Sequence, residues 1–393
     1  MHLKKKIAVV LPFEEPFDEY YGGAISRWVY EVYRNFNIDS YSIFGVTVNE
    51  QTSYPLKVVE SKFFKMFGDG CVDNKINYYL QAFFKRIFFR SSRVWFVFIA
   101  FKLMDFELVH IHNRPIYALI LRKMGYKGII VVHMHNALNA YLSKSDVVKY
   151  NKAVDLTLFC SEFSKNEADL DFGNQLSHSD YIYNGIGLCS NDNFINKAKS
   201  RKSMEVKFIH AGRLVPEKGA DNAIDVIDRL KSNGYDVKLC VVGGASFGKN
   251  TETDYVRCLK EKASVINKKY KSDIVSLTGY LSHKELLEKM SQSDVFLYPA
   301  EWEEPFGMVI VEALNSGLTV IASKKGGMIE ILEAVSSGYL TNSIEETYMR
   351  AKCIVTSPYL IECNRRISKE YAQNKFNWVK ISKDLNVFFE KCF

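Results

Sequence analysis

The chain has 393 residues, a length that predicts two domains rather than one core. Its 47% hydrophobic and 25% charged residues exclude a disordered or collagen-like polypeptide. The formal net charge of +7 comes almost entirely from one stretch, Lys57 to Met104, where nine basic residues stand against three acidic ones, and no zinc-finger, helix-turn-helix or RNP-like pattern accompanies it, so nucleic acid is excluded as the expected partner.

In chain order, MHLKKKIAVVLPF begins basic and turns apolar, but the run is short, lacks a small-residue cleavage site and meets Glu14 and Glu15. It reads as a first buried strand and not as a leader. Candidate strands follow over 7–13, 41–46, 107–112, 128–135 and 156–161, alternating with helix-forming segments as in a parallel α/β sheet. Within 57–104, SKFFKMF and QAFFKRIFFRSSRVWFVFIAF interleave basic and aromatic side chains, a pattern suited to a peripheral anionic membrane surface or a phosphorylated glycolipid. The competing reading is a pair of amphipathic helices with their Phe residues in a core. The longest apolar run, 94–101, falls far short of the roughly 20 residues of a spanning helix, so any membrane contact is peripheral.

HIHN (110–113) and HMHN (133–136) each end a predicted strand, and a period of two puts His110 with His112, and His133 with His135, on one face. Such a pair can ligate zinc or iron in a hydrolase, or can be hydrogen-bonded histidine packed at a strand end. No carboxylate partner lies at standard spacing, and the expectation is no metal. Asp169-Leu-Asp171 ends a helical segment and follows no strand, so it reads as a solvated helix end. The eight cysteines form no C-x-x-C pair, which fits reduced thiols in the cytoplasm.

Residues 188–205 are polar and aperiodic and read as the interdomain linker. A second series of strands then runs over 206–214, 237–244, 274–281, 295–300 and 319–323, separated by amphipathic segments. The expected domains are 1–190 and 205–365, with a helical segment 366–393 packing on the first. In open α/β sheets ligands sit outside the carboxyl ends of the strands, so a cleft between two doubly wound domains is where chemistry is expected.

One such strand end reads AEWEEPFGMVIVEALNSG (300–317). Pro305 and Gly307 punctuate a helix start, where free amides and the positive dipole end favour an anion such as pyrophosphate. Glu304 falls just before that helix and Glu312 within it. Two carboxylates flanking an anion site suit a sugar nucleotide, because each accepts two hydroxyls. GGASFG (243–248), also after a strand, lacks the phosphate-loop lysine pattern and brings Gly244 toward a donor without implying ATP hydrolysis.

The string EPFGMVIVEALNSGLTVIASKKGGMIE resembles the donor-site signature of the retaining glycosyltransferase family 4, which has the GT-B fold. HAGRLVPEKGADNAIDVIDRL is similar to that family's first strand and helix of the C-terminal domain, and YYGGAISRWVYEV carries a glycine pair like the family's. HMHNA, GRLVPEKG and ASKKGG are in particular similar to its lipopolysaccharide core N-acetylglucosaminyltransferases. The resemblance touches both halves of the chain and leaves out 50–105.

It implies two Rossmann-like, doubly wound domains facing a deep cleft, with a C-terminal helix crossing back. It implies Arg213 and Lys218 on the donor diphosphate, Gly22 and Gly23 near the phosphates, and Phe306, Gly307 and Met308 at the anion-binding helix start. Glu304 then holds sugar hydroxyls, Glu312 the ribose, and His135 orients the sugar. The expected activity is retaining transfer, with GlcNAc from UDP-GlcNAc first, onto lipopolysaccharide core or another membrane-linked glycan, without metal or other cofactor, at the inner face of the cytoplasmic membrane. A glucosyl or galactosyl transferase of surface polysaccharide synthesis is the runner-up. A metal hydrolase on the H-x-H strands and a non-catalytic membrane-binding module stand further off.

Overall fold

The computed structural model describes residues 6–18, 23–47, 54, 56, 58, 92–187, 205–245 and 252–393. Gly22, nearly all of the proposed linker, Ser246 to Gly248 and most of the basic aromatic stretch lie outside the described residues.

The chain divides into two units, one made of Met1–Asn184 with Trp378–Phe393 and the other of Gly185–Asn377. These limits differ from the expected 190, 205 and 365. The second unit keeps the helix over Pro358–Lys375, and Trp378 begins the segment that returns to the first.

The first unit runs β1 (Ile7–Val10), α1 (Ala24–Tyr33), β2 (Tyr41–Phe44), α2 (Ser92–Leu103), β3 (Leu108–His112), α3 (Pro115–Lys123), β4 (Ile129–Met134), α4 (Val147–Ala153), β5 (Leu156–Phe159), α5 (Glu162–Asp171) and β6 (Ser179–Tyr181). Its strands pair in parallel in the order β2-β1-β3-β4-β5-β6. Strands such as IAVV and LVHIH are buried residue by residue, as a parallel sheet covered on both faces requires. On α1 the buried Ile25, Trp28, Val29, Val32 and Tyr33 repeat at helical spacing and cover one face of this sheet.

The second unit runs β7 (Val206–Ala211), α6 (Ala220–Ser232), β8 (Val237–Val242), α7 (Asp254–Tyr270), β9 (Val275–Gly279), α8 (His283–Ser291), β10 (Val295–Tyr298), α9 (Met308–Asn315), β11 (Thr319–Ser323), α10 (Met328–Leu332), β12 (Gly338–Thr341), α11 (Ile344–Thr356) and α12 (Pro358–Lys375). Its parallel order is β12-β11-β10-β7-β8-β9. The winding reverses between β7 and β10, and the crevice outside the carboxyl ends of those two strands is the switch point where open sheets bind ligands.

The final helix, α13 (Trp378–Cys392), belongs to the first unit. It sends Trp378, Ile381, Leu385 and Phe389 into the same core as α1, and the Ser382 hydroxyl donates to the Val32 carbonyl at 3.0 Å. On α2, Trp95, Phe96, Ile99, Ala100 and Leu103 are core, while Val97, Phe98 and Phe101 are exposed. Among the described residues no helix is long and apolar enough to cross a membrane.

Candidate functional site

The second unit gathers most of the expected site residues at its switch point. After β7 the chain turns through Gly212 and Arg213, and the Leu214 amide donates to the Gly244 carbonyl at 2.9 Å, laying this loop against the end of β8. A short helical turn, Pro216–Lys218, ends at Gly219 in the left-handed region (φ 72°). A Cβ there would stand 2.0 Å from the Pro299 carbonyl oxygen, so only glycine lets the post-β7 turn approach the end of β10. The amides of Glu301 and Trp302 donate to the Glu217 carbonyl at 2.9 and 3.2 Å, tying the two loops together.

This arrangement brings the Lys218 Nζ onto Oε2 of Glu304, with both side chains largely buried. The Tyr298 hydroxyl donates to the same oxygen at 3.2 Å, and burial together with the Glu304 charge holds the Tyr298 hydroxyl far above its ordinary range. The Glu304 backbone is fixed in turn, because its carbonyl accepts from the Gly327 amide at 2.7 Å. Arg213 is exposed, and its charge acts on Tyr298 in the opposite sense to Glu304.

Phe306 is buried against Phe376, with ring centroids 5.8 Å apart. Gly307 then starts α9 at φ 102°, a conformation that a side chain would strain, and Met308 is the first helical residue. The first-turn amides of a helix have no intrahelical acceptor, so this end of α9 carries donors and a partial positive charge. On α9 itself Glu312 is 7% exposed, and its Oε1 accepts from His283 Nε2 at 2.8 Å. His283 opens α8, which is fixed by a capping box between Ser282 and Glu285. Neither His283 nor Tyr298 was singled out by sequence reading. Both act through tertiary contacts that no local pattern announces.

In the first unit, Gly23 caps α1, and the Glu15 carboxylate accepts from the Ile25 and Ser26 amides at 2.9 Å each. An anion thus already occupies this helix start, and its burial raises the Glu15 pKa. His135 follows β4. Its amide donates to Asn113 Oδ1 at 2.7 Å, and Asn113 adopts a left-handed conformation (φ 51°) at the end of β3. The His135 ring meets His112 Nδ1 through Nε2 at 3.0 Å, and burial pushes His135 down to about 3, so it is neutral at physiological pH. His110, His112 and His133 have no exposed surface, which closes them to the substrate of a hydrolase. The Asp169-Leu-Asp171 pair ends α5, with Asp169 on Lys165 at 2.8 Å and Asp171 accepting from Asn139.

Two parallel-strand Rossmann-like sheets of this kind, with a cationic and carboxylate cluster at one switch point, define the GT-B class of glycosyltransferase folds. Residues 191–351 match the family described as Glycosyl transferases group 1. Similar curated proteins include the spore coat protein SA of Bacillus subtilis, 24% identical over 73% of this chain and 78% of that one. The lipopolysaccharide 1,2-N-acetylglucosaminetransferase of Salmonella typhimurium is 23% identical over 90% of this chain and 94% of its own. Among solved structures, HepE of Anabaena in complex with UDP superposes with a TM-score of 0.71 at 18% identity, covering 98% of this chain and 100% of that one. A glycosyltransferase from Rickettsia africae superposes with a TM-score of 0.72 at 15% identity, covering 99% of each chain.

Proposed function

We propose that the protein is a metal-independent, retaining glycosyltransferase that moves a sugar from a UDP-sugar, UDP-GlcNAc first, to a membrane-linked glycan such as lipopolysaccharide core. The observation that carries this reading is the meeting of Lys218 and Glu304 at the switch point of the second sheet, beside Arg213 and the start of α9. A cation pair and a helix start serve a leaving diphosphate, and a fixed carboxylate beside them serves sugar hydroxyls.

On this reading the diphosphate displaces Lys218 from Glu304. Arg213, Lys218, Gly244 and the amides from Phe306 to Met308 then hold the phosphates. Glu304 turns to the sugar, and Glu312, steadied by His283, takes the ribose. The bond from the anomeric carbon to the phosphate oxygen breaks as the acceptor oxygen bonds on the same face, and the acceptor proton passes to the departing phosphate. Stabilising that leaving group is the main electrostatic contribution to the rate. Support for the donor comes from the Salmonella N-acetylglucosaminetransferase and from the UDP bound by HepE. Residues 57–104 supply the contact with the inner face of the cytoplasmic membrane, and the exposed Val97, Phe98 and Phe101 on α2 are its described part.

UDP release measured with UDP-GlcNAc, UDP-glucose and UDP-galactose in the presence of chelator tests the donor. Turnover with UDP-GlcNAc is expected to exceed the others. A preference for UDP-glucose, which HepE binds in a second complex, would move the assignment to a glucosyltransferase.

A further inference from the structure

The four histidines of HIHN and HMHN gather on one face of the first sheet. In the parallel register His112 lies beside His133, so His110, His112, His133 and His135 project to the same side of β3 and β4. Trp28 of α1 packs on all four rings, with centroids 4.7 to 6.0 Å away, and Phe389 of α13 packs on His110 at 5.4 Å. The cluster is therefore roofed by two helices and has no surface at His110, His112 or His133.

Imidazoles in a core normally find partners for both nitrogens, whereas His110 and His112 do so on one side only and His133 on neither. His110 Nδ1 meets the Tyr33 hydroxyl at 2.8 Å, and His112 Nδ1 meets His135 Nε2 at 3.0 Å. The opposite nitrogens, Nε2 of His110 and Nε2 of His112, have no partner although fully buried, and neither nitrogen of His133 has one. One nitrogen from each of His110, His112 and His133 lies within 4.8 Å of the other two. In the tautomer whose Nδ1–H of His110 donates to Tyr33 and whose Nδ1–H of His112 donates to His135, Nε2 of each presents a lone pair, and His133, bonded at neither nitrogen, can present either of its own. For His110 and His112 an outer hydrogen bond with a bare inner nitrogen is the arrangement of metal-ligating histidine.

We propose that His110, His112 and His133 form a structural site for one divalent transition ion that prefers imidazole, zinc first. A four-coordinate ion with nitrogens at about 2.0–2.1 Å sets its ligand atoms about 3.4 Å apart, so nitrogens that lie within 4.8 Å of one another draw together by at most about 1.4 Å on binding. Three neutral ligands leave the ion's charge uncompensated in an apolar roof, which makes this site weaker than one containing thiolates. The ion clips β3 to β4 beneath α1 and lies in the first unit's core, apart from the diphosphate chemistry proposed for the second. A buried water bonded to the same nitrogens is the competing occupant.

The test uses the full chain without a histidine tag, stripped of metal and titrated with Zn²⁺ and with Co²⁺. The expected result is one equivalent of Zn²⁺ bound at micromolar concentration or below, a raised melting temperature, and the visible absorption of four-coordinate Co²⁺. In His133→Gln and in His112→Gln the absorption is expected to vanish, whereas His210→Gln, which alters a buried histidine of the second unit, keeps it. No bound equivalent and no thermal shift in the wild-type chain would assign the space to water and overturn the proposal, whether or not the variants fold. So would undiminished Co²⁺ absorption in folded His133→Gln. UDP binding, read separately, is independent of either result.

Discussion

At the residue scale the pairing of Lys218 with Glu304 makes a directional prediction. Glu304→Gln releases Lys218 from its counter-ion while leaving Tyr298 an acceptor, so UDP affinity is expected to hold or improve while turnover falls by about 100-fold, as when one charge-stabilising group is lost from an active site. Equal loss of UDP binding and turnover would place Glu304 on the nucleotide instead. His210 offers a second test, on stability. It is buried on Tyr298 and bonded to the Leu297 carbonyl, and desolvation lowers it to about 4 from an ordinary 6.5. Between those values the unfolded chain binds a proton that the folded chain refuses. Stability therefore falls as pH drops from 6.5 toward 4, by about 1.4 kcal/mol per pH unit for this one group, and the effect is absent above that window. Melting curves of His210→Phe against wild type across pH 4–7 should show the shallower slope in the variant. The residues proposed for the chemistry were picked out at this scale because their types and spacing are local, as in E-P-F-G. Their partners were not, since His283 and Glu312 are 29 positions apart and meet only through packing of α8 against α9.

At the scale of elements, the buried strands were legible from their apolar runs, including the four-residue β1, β2, β5 and β10, and two edge strands were not. SDY in β6 and GYLT in β12 contain no such run, and both lie at the edge of a sheet. The predicted strands also ran two or three residues too far, to 13 and 214 in place of 10 and 211, because buried loop residues such as Leu11 and Leu214 extend the apolar pattern past the last pair. Gly219 carries the prediction here. Any side chain collides with the Pro299 carbonyl, so Gly219→Val must push the Lys218 turn away from the end of β10. Loss of 10-fold or more in UDP affinity is expected from calorimetry, with circular dichroism unchanged apart from a lower melting temperature. Unaltered affinity would show that the turn does not set the position of Lys218.

At the scale of the whole molecule the division into two units followed from the alternation of strands and helices, but the return at residue 378 did not. No proline or glycine interrupts 359–393, so the amphipathic pattern reads as continuous. The break comes from tertiary contacts: the Phe376 ring packs on Phe306, and its carbonyl accepts from the Ile186 amide at 2.6 Å. Because α13 completes the first unit's core, Phe389→Ala is expected to cost about 3–5 kcal/mol there. Hydrogen exchange should show lost protection in β1 to β5 with β7 to β11 retained. Uniform loss in both units would mean that they unfold as one.

On the proposed function the second unit holds a nucleoside diphosphate through its own cations. Calorimetric titration with UDP and with GDP, in excess chelator, on the intact chain and on Arg213→Ala, tests it most directly. UDP binding is expected to survive chelator, to exceed GDP binding, and to weaken by about 10-fold or more in the variant, the loss expected for one charge-assisted phosphate contact. Absence of binding by either nucleotide, or identical UDP affinity in Arg213→Ala, would contradict it.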